Sequence, residues 1–517
     1  MIRPHPLISM AINLRRVFPA ASFVGCGDIR VTSATDNSRD CQPGTLFAAI
    51  RGCQSDGHDF VADALRCGAS ALLVERPQAD ALVPQCVVPD TRRAYALLCA
   101  ALQGDPTRHL NVAGVTGTNG KTTITWLIRA ILQDAAIQTG LLGTVEYNDG
   151  QATERSTLTT PGPKEIASWL GRMVRQRTTH AALEISSHAL DQRRTAGIDL
   201  DVAILANITQ DHFDYHQTYE AYRTSKLRIF EHLKPGGLAV LNADDPGSAS
   251  CIETVRRHRV TYGIEQPADI TATIQEETLA GSTFRMRIGR ESVEVHTRLI
   301  GRHNVSNCLA AAAAAQHFGL TPRQIADGIE SLTSVPGRME PVECGQPFSV
   351  FVDYAHTDDA LRRAIGALRR ITAGRVICVF GAGGDRDRSK RPLLGQAASL
   401  ADIAVLTSDN PRSEDPEQII REVAAGFSAS AARPQIRPER EDAIHWALAH
   451  AAPGDSVLVA GKGHETEQIV GTQRRHFDDR EVIRRQLGML HLIHRNTERH
   501  ETFGPKHIRE YPLPTGR

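Results

Sequence analysis

The sequence predicts an α/β protein of three domains, and three observations carry that reading. Its 517 residues exceed one ordinary domain. A glycine-rich turn, GVTGTNGKTT at 114–123, lies between a short apolar run and a helical pattern. After residue 337 a β-α alternation repeats through the apolar runs 349–353, 375–380, 402–407 and 456–460. Charge and composition narrow the class. Lys plus Arg and Asp plus Glu both number 59, so there is no global bias toward nucleic acid or an acidic membrane. The ten cysteines are scattered without a C-x-x-C pair, which argues against a zinc site or disulfide framework and for reduced thiols in a cytoplasmic protein. The first residues lack a secretory signal, and no run approaches the ~20 apolar residues of a membrane span.

Residues 1–107 read as a small first domain. Asp36-Asn37-Ser38-Arg39 leads through the turn Pro43-Gly44 into a strand at 46–50, followed by a helix at 60–67 and a strand at 71–74. The second domain, 108–336, opens with a strand at 110–115, the glycine-rich turn and a helix at 121–135. Strand, turn and helix N-terminus make an anion site, because unpaired backbone N–H groups and the helix dipole converge on a phosphate. Lys121 is placed to reach the outer phosphates, and the Thr122 hydroxyl to ligate magnesium. Val115 stands where the usual phosphate-loop spacing has glycine.

Two further apolar runs, 180–185 and 202–206, end at polar clusters: Ser186-Ser187-His188, then Asn207 and Asp211-His212-Phe213-Asp214. Ligands in open α/β sheets sit outside the carboxyl ends of strands, which is where both clusters fall. Glu184 is a carboxylate inside an apolar strand, expected to be metal-bound or held in a structural salt bridge. A helix is expected at 219–233, where Lys226 shares a face with Tyr219, Tyr222, Ile229 and Leu233. Such a lysine either snorkels to water or is desolvated. A desolvated neutral amine can take up carbon dioxide as a carbamate, an oxygen donor for magnesium. The alanine-rich run 309–315 reads as a buried helix.

The third domain, 337–493, has the pattern of a doubly wound, Rossmann-type sheet, with helices at 359–370, 392–400, 416–427 and 442–451. Gly381-Ala382-Gly383-Gly384 is a poor dinucleotide fingerprint, because Asp385-Arg386-Asp387 follows where a third glycine should open a helix. The loops carrying Arg386, Asp409-Asn410-Pro411-Arg412, and Gly461 with Glu465 all leave carboxyl strand ends. Two arginines and a glutamate suit a molecule with both carboxylate and ammonium. A polar tail, 494–517, closes the chain.

The motifs TGTNGKTT, LEISSHALDQRR, NITQDHFDYH, GRHNVSNCLAA, PGRME, DYAHTDDAL, GDRDRSKRP, DNPR and GKGHE together resemble the Mur ligase family over nearly the whole chain. The resemblance implies a UDP-binding N-terminal domain, a central ATPase with a mostly parallel sheet, and a Rossmann-like domain for an incoming amino acid. It implies an ATP-dependent amide ligase of peptidoglycan synthesis that works through an acyl phosphate, with magnesium and a carbon dioxide-derived carbamate on Lys226. The substrates implied are UDP-MurNAc-L-Ala-D-Glu and meso-diaminopimelate; a monomer is expected, without nucleic-acid partners.

Residue by residue, the ATP contacts implied are Thr116, Gly117, Thr118, Asn119, Gly120, Lys121, Thr122, Asn304 and Arg338. The muramoyl substrate falls to Ser38, Thr159, Thr160, Ser186, Gln192 and Arg194. Metal binding falls to Thr122, Glu184, His212 and carbamylated Lys226, and diaminopimelate to Arg386, Asp409, Asn410, Pro411, Arg412, Gly461 and Glu465. Asn37, Cys53 and Asp358 depart from the family pattern. Two other classes remain open: a folylpolyglutamate-type ligase, which would lack the first domain, and a nucleotide switch, which would have little use for a second metal site.

Overall fold

The computed structural model describes residues 11–52, 55–209, 213–428 and 432–489, and the side chains of Phe213 and Asp214 stand outside that description. His212 and the tail 494–517 therefore lie outside the described residues, as does Cys53. Residues up to Val335 form one compact unit and those from Pro336 another.

The first unit holds two main sheets. The smaller has five strands in the order Ser22–Val24, Gln85–Val87, Ala71–Val74, Thr45–Ala48, Ser33–Thr35, all parallel except the first pair. Four consecutive buried positions in Thr45–Ala48 and in Ala71–Val74 explain their uninterrupted apolar runs. The helix Thr91–Leu102, capped by the Asp90 side chain, covers one face and was not expected from the sequence. The expected helix at 60–67 is shorter, a 3-10 turn at Gly57–Phe60 leading into Val61–Arg66.

The larger sheet has eleven strands. Its parallel centre runs Thr139–Leu142, His180–Glu184, Asn111–Thr116, Leu200–Leu205, Leu233–Asn242, Arg259–Gly263, Ile270–Thr278. Antiparallel strands extend both edges, Glu146–Asn148 and Thr153–Arg155 on one side, Gly281–Ile288 and Glu291–Thr297 on the other. The chain therefore places its phosphate-loop strand between the two strands that end in polar clusters. Three helices pack over this sheet: Lys121–Asp134, the alanine-rich Arg302–His317 and Pro322–Ser331. Ala310 to Ala315 are at most 1% exposed, and their small side chains let neighbours approach closely. A Cβ on Gly328 would collide with the Ile131 backbone of the phosphate-loop helix.

The second unit has a six-stranded sheet in the order Glu340–Pro341, Ser349–Asp353, Ser456–Ala460, Val376–Phe380, Ile403–Leu406, Gln435–Ile436. All pairs after the first are parallel, so the doubly wound expectation holds. The last strand in sequence, Ser456–Ala460, inserts between the first and second of the expected series. Asp358, a departure from the family pattern, is the first residue of the helix Asp358–Ile371, where a carboxylate favours the dipole.

Gly328→Ala is expected to destabilise the first unit by about 1–3 kcal/mol, because the obstructing atoms are backbone and cannot rotate aside. Denaturant unfolding measures it; a midpoint equal to wild type would show that the two helices can separate freely.

Candidate active site

The phosphate loop is held by its neighbours rather than by its own glycines alone. Strand Asn111–Thr116 gives way to the helix Lys121–Asp134 through Gly120, whose φ of +88° is left-handed and favours glycine. Asn207, at the end of the adjacent strand, clamps the turn from both sides. Its Oδ1 accepts from Asn119 N at 2.8 Å, its Nδ2 donates to the Asn119 carbonyl at 3.0 Å, and its own carbonyl accepts from Thr118 N at 3.1 Å. The Lys121 ammonium donates to the carbonyls of Gly117 and Thr118 at 2.8 and 2.9 Å, so it lies across the mouth of the loop. Val115 is fully buried in the strand, where a side chain fills the core. Gly114 beside it is a packing residue, because a Cβ there would meet Leu200 Cδ1 at 2.7 Å.

Glu184 ends the next strand at 1% exposure. Its Oε2 accepts from the hydroxyls of Thr122 at 3.1 Å and Thr144 at 2.8 Å, and its Oε1 accepts from Thr144 N at 2.8 Å. A Cβ on Gly143 would collide with Oε1, so glycine makes room for the carboxylate. Among the described residues Glu184 makes no ion pair, so the structural salt bridge allowed by the sequence is not seen there. A carboxylate and a hydroxyl are the hard oxygen donors magnesium takes. Neighbouring oxygens of an octahedral site are about 2.9 Å apart given its usual bond lengths, close to the separation of Thr122 and Glu184. These residues fit the ion.

From Glu184 a continuous network reaches the residues assigned to the muramoyl substrate. The Thr159 hydroxyl lies 3.1 Å from that of Thr144, whose one proton goes to Glu184, and Thr160 donates to the Glu184 carbonyl at 2.8 Å while accepting from Ser186 N at 2.9 Å. Arg194 donates to the Thr160 carbonyl at 3.0 Å and to Gln192 Oε1 at 2.7 Å. Burial pulls the guanidinium of Arg194 below its ordinary value. Ser38 stands apart in the 3-10 turn Ser38–Asp40 and shares no described hydrogen bond with this network. The interrupting Asn37 is that turn's cap, accepting from Arg39 N at 3.1 Å.

Lys226 corrects one alternative. The helix carrying it is Tyr219–Leu227, followed by a 3-10 segment Arg228–His232, not one helix to 233. Ser225 donates to the Ser187 carbonyl at 2.8 Å, anchoring this helix against the turn after Glu184. Covered by that turn, Lys226 is 1% exposed and does not snorkel to water. Its Nζ lies 4.5 Å from the Tyr222 ring centre, and the Tyr222 hydroxyl lies 3.1 Å from that of Thr118. Loop and lysine are thus one construction. Asn304 is buried, donating to the Ile300 carbonyl at 2.9 Å and accepting from Asn307 at 3.0 Å; a Cβ on Gly120 would lie 2.6 Å from Asn307 Oδ1.

In the second unit the three loops do converge. Gly384 N donates to the Asn410 carbonyl at 2.9 Å, Arg412 Nη1 to the Gly384 carbonyl at 2.5 Å, and Asn410 Nδ2 to Glu465 Oε2 at 2.9 Å. Gly461 has φ +114°, and a Cβ there would lie 2.5 Å from Asp409 Oδ2. Pro411 is buried, and its carbonyl closes on Gly384 so tightly that only glycine fits. Arg386 is exposed, donating to the Asp385 carbonyl at 3.1 Å. Arg338 sits 4.7 Å from the Tyr354 ring centre, and His464 packs on the same ring at 5.0 Å. Burial, reinforced by the nearby Glu465 charge, pushes the Tyr354 phenol up to about 12. Sequence reasoning missed Thr144, Tyr354 and Lys462 as parts of these sites, and passed over Asn207 as a clamp. The GKGHE motif carried the signal for Lys462; nothing local marks Thr144.

Family models match most of the chain: "Mur ligase family, catalytic domain" over residues 30–102, "Mur ligase middle domain" over 115–315, and "Mur ligase, glutamate ligase domain" over 337–463. The UDP-N-acetylmuramoyl-L-alanyl-D-glutamate–2,6-diaminopimelate ligase of Geobacillus thermodenitrificans is 44% identical over 465 residues, 89% of this chain and 95% of its own. The ligase of the same name from Geobacillus kaustophilus is also 44% identical, with the same coverage. A solved structure of a ligase of that name superposes with a TM-score of 0.68 at 33% identity, covering 93% of this chain and 100% of its own. With three consecutive family matches and relatives this similar over nearly their full lengths, the chain belongs to the Mur ligase family.

Proposed function

We propose that this protein is an ATP-dependent ligase that joins meso-2,6-diaminopimelate to the D-glutamyl carboxylate of UDP-N-acetylmuramoyl-L-alanyl-D-glutamate, a cytoplasmic step of peptidoglycan synthesis. The observation that carries the reading is the convergence of the loops that bear Arg386, Arg412 and Glu465 in the second unit, beside relatives of that name at 44% identity. Arginine forks suit the distal carboxylate that lysine lacks, and Glu465 suits an ammonium. The match over 30–102 favours this substrate over a folate-type one.

The chemistry follows from the residues of the first unit. Backbone N–H groups of the 117–122 turn and the Lys121 ammonium hold the outer phosphates of ATP. Thr122 and Glu184 would hold magnesium, which would supply neutralisation of the charge spread over the transferring group. Buried Lys226, as its free amine, would add to carbon dioxide with loss of a proton. The resulting carbamate would offer magnesium an oxygen donor; the family resemblance gives His212 a ligand role as well. Thr160, Ser186, Gln192 and Arg194 orient the dipeptide end. Its free side-chain carboxylate attacks the γ-phosphorus, the bond from that phosphorus to the bridging oxygen breaks, and ADP leaves. The amine of diaminopimelate then attacks the acyl carbon, and phosphate departs from the tetrahedral intermediate as the amine loses a proton.

Three measurements test this reading. Purified protein given the UDP-linked dipeptide, ATP and either diaminopimelate or lysine is expected to release phosphate and form the tripeptide product with diaminopimelate; no release with either overturns the proposal. Lys226→Ala is expected to abolish ligation, with partial rescue by a small carboxylate and loss of the carbamate carbonyl signal from 13C-bicarbonate. Full activity of that variant would remove the carbamate. Asn207→Ala, by releasing the turn, is expected to weaken ATP binding about ten-fold, on the order of 1.4 kcal/mol. Calorimetric titration reads this, and unchanged affinity would mean the loop holds its shape unaided.

A further inference from the structure

The subsite of the second unit contains a cation that the proposed chemistry does not use. Lys462 is 0% exposed. Its ammonium donates to Asn410 Oδ1 at 3.3 Å, to Glu465 Oε2 at 3.3 Å and to the Glu467 carbonyl at 2.5 Å. Those bonds use its three donors, so it has none left to offer a ligand. Glu465 Oε2 is taken twice, by Lys462 and by Asn410 Nδ2, and Asn410 Oδ1 also accepts from Ile469 N at 3.0 Å.

A buried ammonium is costly, and an apolar side chain of similar volume would brace three loops without that cost. The charge itself therefore needs a reason, and the neighbourhood supplies one. Arg412 lies within the fields of one cation, Arg386, and three carboxylates, Asp409, Glu465 and Asp385. With Lys462 counted, three cations face three carboxylates. Without it two of these cations would face the three carboxylates, and Glu465 Oε2 would keep Asn410 Nδ2 but lose its ammonium partner, leaving room for a bare ammonium.

We propose that Lys462 determines specificity: by occupying one oxygen of Glu465 and balancing the charge of the loops, it makes the subsite select a ligand end bearing ammonium and carboxylate together over one bearing ammonium alone. This rests on the reading of the second unit as the diaminopimelate site. A purely structural lysine would support all ligands alike. A charge-balancing lysine changes their order.

The test compares kcat/KM for meso-diaminopimelate, for lysine, which has only the distal ammonium, and for 2-aminopimelate, which has only the distal carboxylate. In the wild-type protein both single-charge amino acids are expected to fall below diaminopimelate by about ten-fold or more. In Lys462→Met the ratio of diaminopimelate to lysine is expected to drop about ten-fold, while KM for ATP stays within about two-fold. Lys462→Arg, which keeps the charge, is expected to keep the wild-type ratio. A parallel loss for diaminopimelate and lysine in Lys462→Met would overturn the proposal. If that variant does not fold, the wild-type comparison decides, and lysine within about two-fold of diaminopimelate overturns it. Turnover of none of the three would instead overturn the function on which the inference rests.

Discussion

The first unit depends on one buried carboxylate. A carboxylate buried at the end of an apolar strand needs partners, since an isolated charge there would cost far more than a domain's net stability allows. Its partners come from two places in the chain: Thr122 on the phosphate-loop helix, and Thr144 after the strand Thr139–Leu142, beside Gly143, which has no side chain to obstruct it. Satisfying one oxygen pair thereby fixes the loop, the turn after Thr139–Leu142 and the Thr159–Thr160 turn with respect to one another. A hydroxyl and a carboxylate that already share a proton need little rearrangement to share a cation instead.

The second unit reaches the same end by a different route. Its loops are tied mainly through backbone groups: the carbonyls of Asn410, Gly384 and Glu467 each receive a bond from another loop or from the buried Lys462. Glycines at 383, 384 and 461 stand where a Cβ would strike a neighbouring loop. Side chains that would face a ligand can therefore vary without the loops losing their places. That arrangement suits a fold whose members share chemistry and differ in what they join.

Much of this was legible in the sequence where local pattern and tertiary role coincide. Strands ending in functional loops are fully buried, so runs such as 456–460 and 376–380 stand out as unbroken apolar segments. The phosphate loop announces itself because glycine, lysine and threonine are needed in fixed order. The arm at 270–297 was not anticipated, although Phe284, Met286 and Ile288 alternate with Arg285 and Arg287, because one exposed face dilutes its hydrophobicity. Convergence of the three loops could not be read at all. It depends on Ser456–Ala460 inserting between two earlier strands, a fact of strand order that no local pattern encodes. Lys226 was undecidable for a similar reason: whether a lysine snorkels depends on what covers its helix, here the turn at Ser187.

One detail of the phosphate loop bears on how binding energy is to be understood. Lys121 is already engaged, its ammonium donating to the carbonyls of Gly117 and Thr118. Arrival of a nucleotide is then an exchange of partners and not the filling of an empty place. Measured affinity is a difference between two satisfied states, smaller than the phosphate contacts alone would suggest.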